Sequence, residues 1–236
     1  MPHRDFDVAG LARYLHLSPE QVLRLAERGK IPGRKVAGQW RFPRAEVHHW
    51  LEQKIGGAED DAQLARLETV VSQPTAGPSE TIFTSLTDLM PPEAIAIPLQ
   101  ARTRNSVITQ MVELAARTGL LWDKQAMTEA VLAREAMYPT ALENGVALLH
   151  PRRPMRSLLA QPILCLGITT SGIPFGGLCL TDIFFLICSV DDPGHLRVLT
   201  RLSRVITQPE VPQALRAAPD AETARQVIRH AEAQLP

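Results

Sequence analysis

Cysteine is scarce in this chain of 236 residues. The three present, Cys165, Cys179 and Cys188, each lie in an apolar run, and none has metal-ligand spacing. That excludes a disulfide-stapled framework and a zinc centre, and leaves the thiols as small hydrophobes in a core. With no secretory signal at the start, a reducing cytoplasm is the expected location. Long apolar runs are also missing. The longest fall short of the ~18 residues a membrane span needs, so no membrane insertion is expected. Gly-x-Ser-x-Gly, zinc spacing and a phosphate-binding loop are all absent, which disfavours an ordinary hydrolase or nucleotide enzyme. Neither a metal nor a cofactor is expected.

Net charge is absent too, with 25 Lys and Arg against 25 Asp and Glu, but the balance is local rather than uniform. Residues 1–55 hold ten basic and six acidic side chains, a surplus of four cations. The remainder holds fifteen and nineteen, the opposite surplus. A basic head on an acidic body implies two domains with different partners. The expected division is a head over 1–54, a linker over 55–80 and a body over 81–236.

In the head, Val8, Leu11, Ala12 and Leu15 recur at helical spacing behind Asp7, placed to act as N-cap. Ser18-Pro19-Glu20-Gln21 restarts the chain with a cap, a first-position proline and a polar first turn. Val22, Leu23 and Leu25 form the inner face of this second helix and Gly29 ends it. Two short helices joined by a tight turn have helix-turn-helix spacing. Val36 and Trp40 to Phe42 flank a turn at Gly38-Gln39 as a hairpin. Arg44 to Gln53 reads as a third helix with Val47, Trp50 and Leu51 inward. Trp40 and Trp50 read as core, and His48 and His49 as surface residues. Lys30, Arg34, Lys35, Arg41 and Arg44 surround the hairpin, where cations can neutralise DNA phosphates.

The run "LSPEQVLRLAERGKIPGRKVAGQWRFPRAEVHHWL" resembles the excisionase-type helix-turn-helix, a relative of the MerR-like DNA-binding domains. The resemblance implies a winged-helix-like head that contacts DNA through Gln21, Arg24 and Arg28 on the second helix. Arg34, Lys35 and Arg41 would hold phosphates. Within the linker, Leu64, Leu67 and Val71 lie on one side of a short helix. Half-sites are read in pairs, so this helix is a candidate for homodimer formation.

The body alternates strands with helices. Strands are expected at Ala94 to Ile97, Val146 to Leu149, Ile163 to Ile168 and Ile183 to Val190. The last is apolar on both faces and therefore central. Helices are expected at Asn105 to Thr118, Asp123 to Met137, Pro193 to Ile206 and Ala221 to Gln234. The fold class is α/β, a mostly buried sheet covered by helices.

Asn144-Gly-Val-Ala-Leu-Leu-His150 ends a strand on an imidazole, followed by Pro151, Arg152 and Arg153. A neutral ring nitrogen is a nucleophile, and a phosphoryl adduct adds about two negative charges that need nearby donors. Arg134, Arg152, Arg153 and His195 are candidates, the last at a helix start. A histidine at a strand end is also often structural, and the residues alone leave both readings open.

The segments "LTDLMPPEAIAIPL", "VLAREAMYPTALENGVALLH", "SGIPFGGLCLTDIFFLICSV" and "DDPGHLRVLTRLSRVI" occur in this order. Together they resemble the fructose–mannitol–nitrogen class of enzyme IIA domains of the phosphoenolpyruvate-dependent phosphotransferase system. The resemblance spans residues 85–234. It implies a three-layer α/β domain with a mixed sheet of about five strands between helices, and a phosphoacceptor at His150, charged from a small histidine phosphocarrier. Arg134 would stabilise the transferring oxygens, His195 would donate a hydrogen bond to them, and Thr140 would add another. The family places proline before the histidine. Here Leu149 precedes His150 and Pro151 follows it, which puts rate or partner specificity in question. For Arg152 and Arg153 a phosphate clamp, an acidic partner and plain solvation remain open. The joint expectation is a DNA-binding regulator that couples phosphorylation of His150 to its output. The alternatives are a phosphocarrier or nitrogen-regulatory protein acting through protein contacts, and a module that has lost phosphotransfer.

Overall fold

The computed structural model describes residues 5–15, 17–56, 64–65, 84–176 and 179–235. The chain divides into two compact units, Met1–Ser79 and Glu80–Pro236. Of the proposed linker helix, Leu64 and Ala65 are helical and Leu64 is buried, whereas Leu67 and Val71 lie outside the described residues.

In the first unit, α1 (Val8–Leu15) starts where Asp7 Oδ1 accepts from the Gly10 N–H at 2.6 Å. Helix α2 (Pro19–Glu27) starts on a reciprocal cap: Ser18 Oγ accepts from Gln21 N at 3.1 Å, and Gln21 Oε1 accepts from Ser18 N at 2.8 Å. The hairpin β1 (Arg34–Val36) and β2 (Gln39–Arg41) follows, then α3 (Arg44–Gly56). Leu11, Leu15, Val22, Ala26, Ile31, Phe42, Val47 and Leu51 form the buried centre.

Three details depart from the sequence-based expectation. The hairpin turns on Ala37-Gly38, not Gly38-Gln39, and both residues have positive φ, 48° and 77°. A two-residue turn of this kind matches the right-handed twist of its strands, and that geometry outweighs the cost of a non-glycine residue in the left-handed region. His48 is buried rather than superficial, because its Nε2 meets the Tyr14 hydroxyl at 2.9 Å. Trp40 and Trp50 are only half-buried. Trp40 lies on the hairpin surface, where it stacks on Phe42 with Lys35 Nζ 5.4 Å from its ring centre.

The second unit is built on a four-stranded mixed sheet in the order β3-β5-β6-β4, one strand fewer than the family resemblance implied among the described residues. The strands are β3 (Ile95–Ala96), β4 (Val146–Leu149), β5 (Ile163–Pro174) and β6 (Leu180–Cys188). Strands β5 and β6 are antiparallel, whereas β3 runs parallel to β5 and β4 parallel to β6. Central β6 is apolar on both faces, as expected. Ala147, Leu149, Cys165, Phe184, Leu186 and Cys188 pack with α4 (Arg104–Arg117) and α5 (Lys124–Met137). The alternate residues Ile183, Phe185 and Ile187 point to the other face, where α6 (Asp192–Ile206) and α7 (Glu210–Ala217) contact β6. A last helix, α8 (Ala221–Ala233), packs on α6 and α7. Its Glu232 is buried and accepts hydrogen bonds from Leu86 N at 3.0 Å and Arg201 Nε at 2.5 Å, tying the two ends of the unit together. Among the described residues no helix is long and apolar enough to cross a membrane.

Candidate functional site

The sheet topology explains why two histidines 45 positions apart in the numbering come together. Parallel strands β4 and β6 end on the same side, with Leu149 opposite Leu186. His150 follows β4 directly. β6 leads through Ser189 and Val190 into α6, whose N-cap Asp191 accepts from Gly194 N at 2.7 Å. That cap sets His195 in the first turn. The two imidazole centres stand 5.0 Å apart, tilted by 53°. Both rings are buried, at the carboxyl ends of parallel strands where α/β sheets present their sites.

The ring of His150 is oriented by its own strand. Its Nδ1 lies 2.8 Å from the Leu148 carbonyl oxygen. A carbonyl oxygen only accepts, so Nδ1 carries the proton and, in the neutral ring, Nε2 holds the lone pair. Of the two ring nitrogens, Nε2 is therefore the basic one. His195 Nδ1 lies 3.3 Å from Ser189 Oγ. If the hydroxyl donates there, His195 Nε2 carries a hydrogen and can donate to an oxyanion.

Arg134 and Glu135 are both buried in the last turn of α5. Arg134 Nη1 donates to the Tyr138 carbonyl at 2.9 Å. Glu135 is fully engaged. Thr140 donates its N–H to Oε1 at 3.0 Å and its hydroxyl to Oε2 at 2.7 Å, and Arg104 Nη2 reaches Oε1 at 3.2 Å. Thr140, with its hydroxyl hydrogen committed to Glu135, is placed to hold that carboxylate rather than to donate elsewhere. Its carbonyl accepts from Leu148 N at 3.3 Å, which sets the Tyr138–Thr140 segment against the end of β4. Pro151 is buried, and Arg152, Arg153 and Arg156 after it are exposed.

Arg104 was not singled out from the sequence. A signal was available: it opens α4, where a cation faces the positive end of the helix dipole. A residue kept in an unfavourable place usually answers to a partner elsewhere, here Glu135.

In the first unit, Gln21, Arg24, Arg28, Lys30, Arg34 and Lys35 are exposed, and Arg41 and Arg44 half-buried. Gln21 spends its carbonyl oxygen on the α2 cap. Arg41 donates to Gln39 at 3.0 Å, and the Arg44 guanidinium sits 4.3 Å over the Phe6 ring. On the hairpin, Arg34 and Arg41 are direct cross-strand partners. Like charges in that position repel, and an anion bound between them would relieve the repulsion. Among the described residues, Arg34 is offset by a 3.6 Å approach to Asp5, largely exposed to solvent.

Comparison with known proteins matches both units. A family profile described as phosphoenolpyruvate-dependent sugar phosphotransferase system, EIIA 2, matches residues 88–231, and a helix-turn-helix domain profile matches residues 6–55. The fructose-specific EIIABC component of the phosphotransferase system from Bacillus subtilis is 26% identical over 55% of this chain, which spans only 21% of that protein's length. A nitrogen regulatory protein of Bradyrhizobium diazoefficiens is 28% identical over 61% of this chain and 94% of its own length. Among solved structures, nitrogen regulatory protein IIA-Ntr from Neisseria meningitidis superposes with a TM-score of 0.54 at 21% identity, covering 60% of this chain and 97% of that one. That likeness concerns the fold.

Proposed function

Since the chain belongs, over residues 88–231, to the phosphoenolpyruvate-dependent sugar phosphotransferase system EIIA 2 family and carries a helix-turn-helix domain over residues 6–55, we propose that it is a cytoplasmic DNA-binding regulator whose output follows phosphorylation of His150. The observation that carries this reading is the fixed tautomer, because the Leu148 carbonyl leaves Nε2 as the atom able to attack phosphorus.

The donor is the phosphohistidine of a small phosphocarrier. The Nε2 lone pair of His150 forms a new N–P bond in line with the breaking N–P bond of the donor. The displaced electron pair returns to the donor's ring nitrogen. Arg134 offsets charge on the transferring oxygens and His195 donates a hydrogen bond to one of them. His150 is buried at the end of β4. The same burial gives phosphorylation leverage. About two negative charges placed on a buried ring must gain partners or force a rearrangement. That change is the step coupled to DNA binding.

The head binds DNA through the cations of its hairpin and second helix. The Arg34–Arg41 pair favours an anionic ligand, since its repulsion falls when a phosphate lies between. Similarity to the nitrogen regulatory protein over most of that protein's length favours a second reading, output through protein contacts. Salt separates the two. In a gel-shift titration against random duplex, phosphate contact makes binding fall steeply with ionic strength, and the Arg34, Lys35 and Arg41 triple alanine variant binds weakly. Indifference to both salt and the triple variant contradicts DNA binding by the hairpin.

A further inference from the structure

We propose that Arg104, acting through Glu135 and Thr140, is a positioning residue that holds the His150 imidazole in the Nδ1–H tautomer and so presents Nε2 for transfer. The inference rests on the reading of His150 as phosphoacceptor, and concerns how that ring is set.

Glu135 is only 2% exposed. A buried carboxylate is tolerated when it is paired and its oxygens are saturated with donors. Arg104 Nη2 supplies the charge, 3.2 Å from Oε1, and donates also to the Glu135 main-chain carbonyl. Thr140 supplies two more donors, at 3.0 and 2.7 Å. These bonds pin the chain as it leaves α5, five residues beyond Glu135. From Thr140 the connection continues without a gap. Its carbonyl accepts from Leu148 N at 3.3 Å, and the Leu148 carbonyl accepts from His150 Nδ1 at 2.8 Å. A guanidinium 46 positions earlier in the numbering is thereby linked to the reactive ring by successive hydrogen bonds.

The position of Arg104 supports a dedicated role. It begins α4, where its charge opposes the helix dipole, and its guanidinium lies 5.6 Å from the Phe175 ring centre. Without it, Glu135 stays buried and loses its cation. The segment that orients Leu148 then loosens, and the ring samples both tautomers. Only one of them offers Nε2.

The test uses the full chain, labelled with nitrogen-15 at histidine, and phosphoramidate as a small phosphoryl donor that needs no docking partner. In wild type, the spectrum of His150 shows a protonated Nδ1 and an imine-like Nε2. In Arg104→Met and in Thr140→Val the two nitrogens move toward each other, and labelling of His150 slows about tenfold, as for lost outer-shell partners elsewhere. Arg104→Lys retains much of both properties. Folded variants with the wild-type tautomer and rate overturn the proposal, as does a loss of thermal stability with the tautomer unmoved. Should Arg104→Met fail to fold, Thr140→Val decides, since it removes one hydroxyl and leaves the ion pair. If wild-type protein takes no phosphate at His150, the phosphoacceptor reading fails, and the tautomer spectra still decide this one.

Discussion

A single carbonyl oxygen, that of Leu148, determines which nitrogen of His150 carries the proton, and the same local logic governs the cysteines. Burial pushes the Cys188 thiol up to about 12, and Cys165 is raised well above its usual value by burial first and by the neighbouring Cys188 second. Cys179 is exposed. A disulfide reagent at neutral pH therefore modifies Cys179 in the native protein, and all three thiols only after denaturation. Fast modification of all three without denaturant contradicts the packing of β5 on β6. The raised values also fix a pH dependence. In the folded state these thiols keep their protons above the unfolded value of about 8.5, so stability is intact below that pH and declines as pH rises toward 12. Urea midpoints measured upward from neutral pH fall through this window, and Cys188→Ala flattens the fall.

Among the elements, α4 approaches the sheet closely at Gly167 in β5. A Cβ there would stand 2.6 Å from Met111 Sδ and 2.8 Å from a Leu99 methyl. Gly167→Ala separates the helix from the sheet and lowers the stability of the second unit by about 1–3 kcal/mol, measured by denaturant titration. The hairpin makes the opposite prediction. Replacing Arg41 by Thr, a good strand residue, removes its repulsion with Arg34 and stabilises the hairpin by about 0.2–1 kcal/mol while weakening DNA binding. A variant that loses stability and keeps its affinity contradicts the assignment of this pair to phosphate.

Most elements were legible because their starts are written locally. Ser18 caps its helix where expected, and the helix expected from Asp123 begins with that side chain as its cap. Strand β4 was legible from its apolar run and the glycine before it. Helix α7 was not, because Pro212 in its first turn reads as a break although proline is tolerated there. The burial of His48 and the pairing of Arg104 with Glu135 were hidden for another reason. Their partners lie 34 and 31 residues away, and no local pattern encodes a contact that only the folded chain creates.

On the scale of the whole molecule, the chain divides into two units, and the opposite charge surpluses of head and body are those expected if, as proposed, one binds DNA and the other takes the phosphoryl group. DNA binding by the head, as proposed, is expected to fall with salt as counterion release requires. Neutralising Arg34, Lys35 or Arg41 lowers the slope of log affinity against log salt by about 0.9 for each phosphate that the side chain held. Phosphorylation of His150, as proposed, would add charge to a buried ring, so the affinity of the full chain for DNA is expected to differ between the two states. An affinity identical before and after stoichiometric labelling would separate the two activities.

The central claim is that His150 accepts a phosphoryl group, and intact-protein mass spectrometry tests it most directly. Wild type and His150→Ala are each incubated with phosphoenolpyruvate and the general phosphotransferase components. The account predicts one phosphoryl increment on wild type, lost on acid treatment as a phosphoramidate bond is, and none on His150→Ala. An unmodified wild type, or equal labelling of both proteins, contradicts it.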